Sequence, residues 1–233
     1  MKRVLLREPQ DLGRTNLAIV RQAAVALATY AVDGPHGRKA GDPVHEEVTE
    51  GRRAQYERAV QRGDTWAVNM AAGYSSCGDL AHWLLRCLGV RDERWINRSD
   101  DYGDIPWMPT VNLDRLVRSP WYVAYQPWTL PALGDILHVR SPDHVAVLTR
   151  VIDSSQWVTC DYGQPHGLER VCQLRDVPGG LQVRGRRLVG WVSLRRVVEL
   201  GALVESAIVP SSFEGGTPDD NPYPEDLRIP EGL

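Results

Sequence analysis

The hydrophobic pattern of this chain changes at Gly134, and that change limits the folds the chain can adopt. Upstream, apolar residues recur at the three- and four-residue spacing of helices, most clearly over residues 16–32. Downstream, they alternate or run together as they do in strands. Residues 144–152 are apolar at so many positions that we predict a central strand, buried on both faces. Because helices come first and an antiparallel meander follows, we expect an α+β fold with helices packed on an antiparallel sheet.

The chain has 233 residues, which suits one domain with additions. We expect an N-terminal helical elaboration over residues 1–65, in which residues 46–62 form a charged helix, and a core over residues 66–205. Residues 206–233 combine prolines with a surplus of acid, which is typical of an extended tail. Within the core, the pattern predicts a short helix over residues 111–117 and strands over residues 135–139, 144–152, 156–161, 167–174 and 188–194.

Charge and hydropathy exclude several kinds of partner. The net charge of −3 gives no reason to expect binding to nucleic acid or to an anionic membrane. No apolar run approaches the ~20 residues of a membrane span. The chain begins like a signal peptide, but Arg7, Glu8 and Asp11 interrupt its apolar region. We therefore expect no Sec signal, and a protein made in the cytoplasm that is exported by a signal-independent system or released by lysis.

The four cysteines show no Cys-x-x-Cys pair and no zinc-type spacing with histidine. The sequence therefore predicts no structural metal and no cofactor. Cys160 and Cys172 are spaced so that a disulfide across a hairpin is an alternative, but free thiols are favoured in a chain that has no leader.

The most informative helix is expected over residues 74–89. Ser75 or Ser76 is placed to cap its start, and Gly89 to end it in a left-handed conformation. One face carries an apolar stripe at Cys77, Ala81, Leu84 and Leu88. Cys77 lies in the first turn, where the helix dipole and free N–H groups stabilise a thiolate, as a nucleophile requires. The alternative is that Cys77 is simply a small buried residue.

A nucleophilic thiolate needs a base, and six histidines are candidates. His82 follows Cys77 by five residues and faces roughly 140° away from it on a helix. His138 lies mid-strand, where a core histidine is expected. Three others are expected in solvated loops, namely His36, His45 and His166. His144 opens the buried strand on the same face as Leu148, and it converges with Cys77 if that face packs on the helix. A structural histidine is the alternative.

The base in turn needs an orienting acceptor, which should lie on the next strand. Asp161 ends that strand, and it comes opposite His144 if the hairpin turn is centred near residues 152–153. A turn centred on residues 154–155 would move Asp161 about four residues along the strand and out of contact. Gln164 would then be the substitute.

Three segments, taken together, resemble a known family. They are YSSCGDL at residues 74–80, GDIL at residues 134–137 and HVAVL at residues 144–148, with a polar residue one strand later. Their order and spacing resemble the NlpC/P60 and CHAP branch of the papain-like cysteine hydrolases over residues 66–194. Two features depart from that pattern: the nucleophile is usually within Asp-Cys-Ser-Gly, and the third position is often histidine, asparagine, glutamine or glutamate.

The resemblance implies a papain-like fold with extra N-terminal helices, and amide hydrolysis through a thioester. Cys77 would attack the carbonyl as a thiolate, His144 would pass the proton to the leaving amine, and Asp161 would orient the ring. The backbone N–H of Cys77 would donate to the oxyanion. Tyr74 or Asn69 is a candidate second donor, and for Tyr74 the alternative is packing or capping.

The resemblance also implies a peptide or peptidoglycan substrate, most specifically peptidoglycan stem peptides. A chain without a leader would act as a phage lytic enzyme or as a delivered antibacterial effector, and an effector would have an immunity or inhibitor protein as partner. Two alternatives remain open. One is a deamidase or acyltransferase that uses the same residues on a protein substrate. The other is a non-catalytic binding module in which Cys77 and His144 are core residues.

Overall fold

The computed structural model describes residues 2–5, 16–32, 61, 63, 77–90, 117–140, 144–161, 167–201, 206–209 and 213. In chain order, the helices and strands of this part are β1 (Lys2–Leu5), α1 (Leu17–Val32), α2 (Cys77–Cys87), β2 (Tyr122–Ala124), β3 (Ile136–Arg140), β4 (His144–Asp153), β5 (Gln156–Asp161), β6 (Leu168–Val177), β7 (Gly180–Val183), β8 (Arg186–Val192), α3 (Leu194–Glu199) and β9 (Ser206–Val209).

Strands β3 to β8 form a closed antiparallel barrel of six strands. From β3 to β7, each strand pairs with the next one along the chain, and β8 pairs with β7 on one edge and with β3 on the other. That double pairing closes the sheet and leaves none of the six strands with a free edge along its whole length. The short strand β2 pairs with the second half of β8.

The expected papain-like α+β fold, with helices packed on an antiparallel sheet, is wrong. The described part of the chain is mostly sheet and contains three short helices, and six strands of the sheet close into a barrel. The physical reason is that a period of two predicts strands but does not predict whether the last strand returns to the first. Register shifts, at His138/Val139 between β3 and β8 and at two places between β4 and β5, add the local bending that closure needs.

The barrel wall separates two hydrophobic cores. Inside the barrel lie large apolar side chains that include Leu137, Leu148, Trp157, Leu188 and Trp191. Outside, α1 packs against β4 and β5, and α2 packs against β4. This outer core includes Leu27, Leu84, Val145, Val147 and Cys160. The prediction that the strand beginning at His144 is buried on both faces is confirmed for residues 145–149, whose alternate side chains enter the two cores, whereas Arg150 and Ile152 farther along the strand are exposed.

Two helices were predictable from local signals. α1 matches the helix predicted over residues 16–32, and the side chain of Asn16 caps it by accepting hydrogen bonds from the N–H groups of Ala18 and Ile19. α2 begins at Cys77 as predicted, and Gly89 follows it with a φ of +80°. Ser75 and Ser76 lie outside the described residues, as does nearly all of the helices predicted over residues 46–62 and 111–117. None of the helices described here has the length and apolarity that crossing a membrane would require.

Strand β7 is not among the strands predicted from the sequence, and two tight turns produce it. Arg184 and Gly185 connect it to β8 with φ values of +53° and +74°, the left-handed pair that a two-residue type I′ hairpin needs. Gly185 adopts this conformation freely. Arg184 carries a side chain, so the left-handed conformation costs roughly 1–2 kcal/mol of free energy there.

The predicted division into residues 1–65, 66–205 and 206–233 stays a prediction. Among the described residues of the two outer parts, α1 packs in the same core as α2, and β1 pairs antiparallel with β9. Ala207 and Val209 on β9 are buried. The beginning and the end of the described chain therefore meet in a small two-stranded sheet.

The Gly134-Asp135 pair ties the barrel to the helices. At Gly134, which has a φ of +83°, an added Cβ would lie 2.8 Å from Leu194 Cδ1 and 3.0 Å from Ala24 Cβ, so only glycine fits. The buried carboxylate of Asp135 accepts hydrogen bonds from the N–H groups of Ala132 and Leu194, each at 2.9 Å. Asp135 thus caps the first residue of α3 from a distant part of the chain. Burial raises the pKa of Asp135 from 3.8 to about 6.

We predict that the Asp135 carboxyl group makes stability depend on pH. Because its pKa is higher in the folded protein than in the unfolded chain, its contribution is fully present below pH 3.8 and is lost as the pH rises through about 6. Relative to Asp135→Asn, the wild type should gain roughly 2 kcal/mol of unfolding free energy between neutral pH and about pH 4. Urea titrations at a series of pH values would measure this.

The control for Asp135 is Asp153→Asn. Hydrogen bonds from Ser155 lower the pKa of Asp153, so its contribution should have the opposite sign and be lost as the pH falls. A difference between wild type and Asp135→Asn that did not change with pH would contradict the prediction.

Candidate functional site

His144 and Asp161 meet at one rim of the barrel. Val147 on β4 lies opposite Cys160 on β5, and continuing that antiparallel register places Asp161 opposite Ala146. His144 precedes Ala146 by two residues on the same face, so it reaches Asp161 along the diagonal. Its Nε2 lies 2.6 Å from Asp161 Oδ2. In this short hydrogen bond the imidazole donates, because an ionised carboxylate only accepts.

The sequence-based condition for this contact is wrong. The turn between β4 and β5 is centred on residues 154–155, since Asp153 pairs with Gln156, and that turn was expected to keep Asp161 out of reach. Without bulges, this turn would place Asp161 opposite Leu148. Two register shifts between β4 and β5 place it opposite Ala146 instead, which is close enough to reach His144. The predicted partner of His144 is therefore brought into contact by bulges that the hydrophobic pattern does not reveal.

Two arginines that the sequence analysis missed also surround Asp161. Arg170 on β6 donates from Nε to Asp161 Oδ1 at 3.1 Å. Arg184, at the tip of the β7–β8 hairpin, places Nη1 3.9 Å from Asp161 Oδ2. Asp161 itself is only 8% exposed. The alternation of side chains along β6 could have indicated Arg170, because it lies two residues before the interior residue Cys172 and therefore on the same face. No local signal indicated Arg184.

Cys77 lies on the other face of the barrel wall. It is the first residue of α2, it is 6% exposed, and it packs in the outer core with Val145 and Val147. The face of β4 that meets the helix is thus the one carrying Val145 and Val147. The condition under which His144 would converge with Cys77, that the face of His144 and Leu148 packs on the Cys77 helix, is therefore not met. The structure brings His144 and Asp161 together, and it places Cys77 in the core on the other face of β4.

The remaining candidates fall into two groups. His138 is a buried core histidine, whose Nδ1 lies 3.0 Å from the hydroxyl of Tyr122. The other candidate donors and substitutes, Tyr74, Asn69 and Gln164, lie outside the described residues, as do His36, His45, His166 and the side chain of His82. Within the described part of the chain, no group of three or more His, Cys, Asp or Glu residues is arranged to hold a metal ion.

The other thiols have structural surroundings. None of the four cysteines forms a disulfide, and Cys160 and Cys172 lie in the outer and inner cores respectively, so the barrel wall separates the two that could have bridged the hairpin. Burial raises the pKa of Cys160 to about 12. Burial also raises the pKa of Cys172, whose sulfur lies 3.3 Å from Thr159 Oγ1. Neither thiol has the surroundings of a nucleophile.

Comparison with known proteins identifies no relative of this chain. No protein-family model, no curated protein and no solved structure matches this chain. The chemistry that the site can perform therefore rests on its own residues and on the motif resemblance described above.

We predict that Cys160 and Cys172 resist alkylation in the folded protein. At about pH 8 a thiol with a raised pKa holds almost no thiolate, and burial also blocks the reagent. Iodoacetamide labelling followed by peptide mass spectrometry should find both residues unmodified in the native protein and modified after unfolding in urea. Rapid native labelling of Cys160 would contradict the surroundings described here.

Proposed function

We propose that this protein is a cysteine amidase or endopeptidase that hydrolyses an amide bond through a thioester, with Cys77 as nucleophile, His144 as base and Asp161 as orienting group. The observation that carries the proposal is the 2.6 Å hydrogen bond between His144 and Asp161 at the barrel rim. A catalytic histidine needs such a partner to fix its ring and tautomer and to stabilise the imidazolium that forms during the reaction.

The hydrogen bonds assign roles to individual atoms. Nε2 of His144 carries its proton toward Asp161 Oδ2, which leaves Nδ1 to accept the thiol proton and return it to the leaving amine. Arg170 holds the second carboxylate oxygen, Oδ1, so the carboxylate is fixed from two sides. This arrangement suits an orienting residue that stays in place while the proton moves between sulfur and imidazole.

The position of Cys77 supports the nucleophile role. As the first residue of α2, its sulfur lies where the helix dipole favours the thiolate, and its backbone N–H points out of the helix end as an oxyanion donor. α2 packs on β4, the strand that His144 begins. The proposed proton transfer needs the thiol and the imidazole to come into contact at the start of this strand, and such contacts are commonly longer in a free enzyme than in its substrate complex.

The substrate class comes from the resemblance to NlpC/P60 and CHAP hydrolases. On that basis we propose peptidoglycan stem peptides as the substrate, and a lytic enzyme or delivered antibacterial effector as the biological role. An effector would have a cognate immunity or inhibitor protein as its partner.

One observation favours a second candidate, a non-catalytic binding module. Cys77 is 94% buried in an apolar cluster, on the face of β4 opposite to the one that carries His144. In such a module the thiol would be a packing residue, and the His144–Asp161 pair would be part of a structural ion-pair network.

Digestion of purified sacculi tests the proposed activity. Wild type should release new muropeptides, Cys77→Ala should lose more than about 10⁴-fold of the rate, and Asp161→Asn should lose roughly 10²- to 10⁴-fold because the imidazole is no longer oriented. Asp176→Asn is the matched control, since Asp176 is an exposed carboxylate at the other end of β6. Equal digestion by wild type and Cys77→Ala would end the proposal.

Alkylation of Cys77 separates the enzyme from the binding module. In an enzyme, His144 promotes the thiolate, so iodoacetamide should label Cys77 well below about pH 8, and His144→Ala should slow that labelling at least about tenfold. The change must be specific to Cys77, with labelling of Cys87 serving as the internal control. Slow labelling of Cys77 that His144→Ala leaves unchanged would favour the module.

A further inference from the structure

We infer that Arg170 and Arg184 form a carboxylate-binding site beside Asp161, which binds ligands that carry a free carboxylate. The site is a feature of the barrel rim. Arg170 also holds Asp161 in the proposed hydrolysis, whereas Arg184 has no role there.

Charge at the rim is unbalanced. The guanidinium groups of Arg170 and Arg184 face a single carboxylate, that of Asp161. Both of its oxygens are already engaged, Oδ1 by Arg170 at 3.1 Å and Oδ2 by His144 at 2.6 Å. Arg184 lies 3.9 Å away, beyond hydrogen-bond distance. One positive charge at the rim is therefore left without a neutralising carboxylate among the described residues.

The donors of the two arginines are available to a ligand. Arg170 donates to Asp161 from Nε, so the N–H groups of its two terminal nitrogens remain to bind a ligand. The side chains of Arg170 and Arg184 are 27% and 46% exposed, whereas Asp161 is 8% exposed. A ligand therefore approaches the guanidinium groups before it can approach the carboxylate. The planar fork of arginine matches a carboxylate with two parallel hydrogen bonds.

The backbone at Arg184 points to a functional role for its side chain. Its φ of +53° puts it in the left-handed region, where glycine, asparagine or aspartate is favoured at the first position of a type I′ turn. The turn alone would be made with less strain by any of those three. Strain that is kept at a residue whose side chain reaches a buried carboxylate indicates that the side chain is used there.

Binding of two isosteric peptides tests the site without requiring turnover. The probes are acetyl-Ala-Glu-Ala-amide and acetyl-Ala-Gln-Ala-amide, which differ only in a carboxylate and a carboxamide. Calorimetry with the full chain and with Cys77→Ala should show at least about tenfold tighter binding of the glutamate peptide, equivalent to about 1.4 kcal/mol. Raising the salt concentration should reduce the preference.

Arg184→Gly is the decisive variant, because glycine accepts the left-handed turn and the hairpin should be retained. It should abolish the preference for the glutamate peptide, whereas Arg184→Lys should restore part of it. Arg175→Gln is the matched control, since Arg175 is an exposed arginine on β6 that lies on the opposite face of the strand from Arg170. This variant should leave the preference for the glutamate peptide intact. Circular dichroism would verify that each variant is folded.

The outcomes separate this inference from the proposed function. Sacculus digestion by wild type, combined with equal binding of the two peptides or with no binding of either at millimolar concentration, would overturn the carboxylate site and leave the hydrolase in place. A glutamate preference that depends on Arg184, in a protein that does not digest sacculi, would support the site and reject the hydrolase. A preference that survives in Arg184→Gly would overturn the assignment to these arginines.

Discussion

The pairing of β8 with both β3 and β7 is the interaction on which the rest of the structure depends. Once the sheet is closed, every strand residue points either into the barrel or toward the helices, and alternation along each strand assigns it to one core or the other. Closure also gathers strand ends that are far apart in the chain around one rim. Without it, Arg184 at the β7–β8 turn would have no reason to lie near Asp161 at the end of β5.

Asp161 is the centre of that rim. A carboxylate that is 8% exposed is costly to bury unless it is paired, and here three side chains from three other strands or turns supply the pairing. The same group can orient a histidine and hold an arginine at once because its two oxygens accept from different directions. An arrangement of this kind fixes the positions of its members more than it adds to stability. For a site whose geometry must be maintained, that is the useful property.

The barrel wall also frames the functional question, because Cys77 belongs to the core on one face of β4 and the His144–Asp161 pair lies on the other. The outer core holds α2 firmly, through residues such as Leu84, so the sulfur has a defined position on that side of the wall. The hydrolase and the binding module differ in whether the imidazole reaches that sulfur. The reactivity of the Cys77 thiol is therefore what distinguishes the hydrolase from the binding module.

Local signals in the sequence determined α1, α2, the strands β3 to β6 and β8, and they indicated Asp161 as a candidate partner of His144. These features depend on neighbouring residues: the Asn16 cap, the positive φ at Gly89, and side chains that alternate along a strand. Only the tertiary structure decided the closure of the sheet, the face of β4 that meets α2, and the approach of Arg170 and Arg184 to Asp161. Each of these depends on pairing between distant segments, in which two bulged residues are enough to move a side chain from out of reach to 2.6 Å.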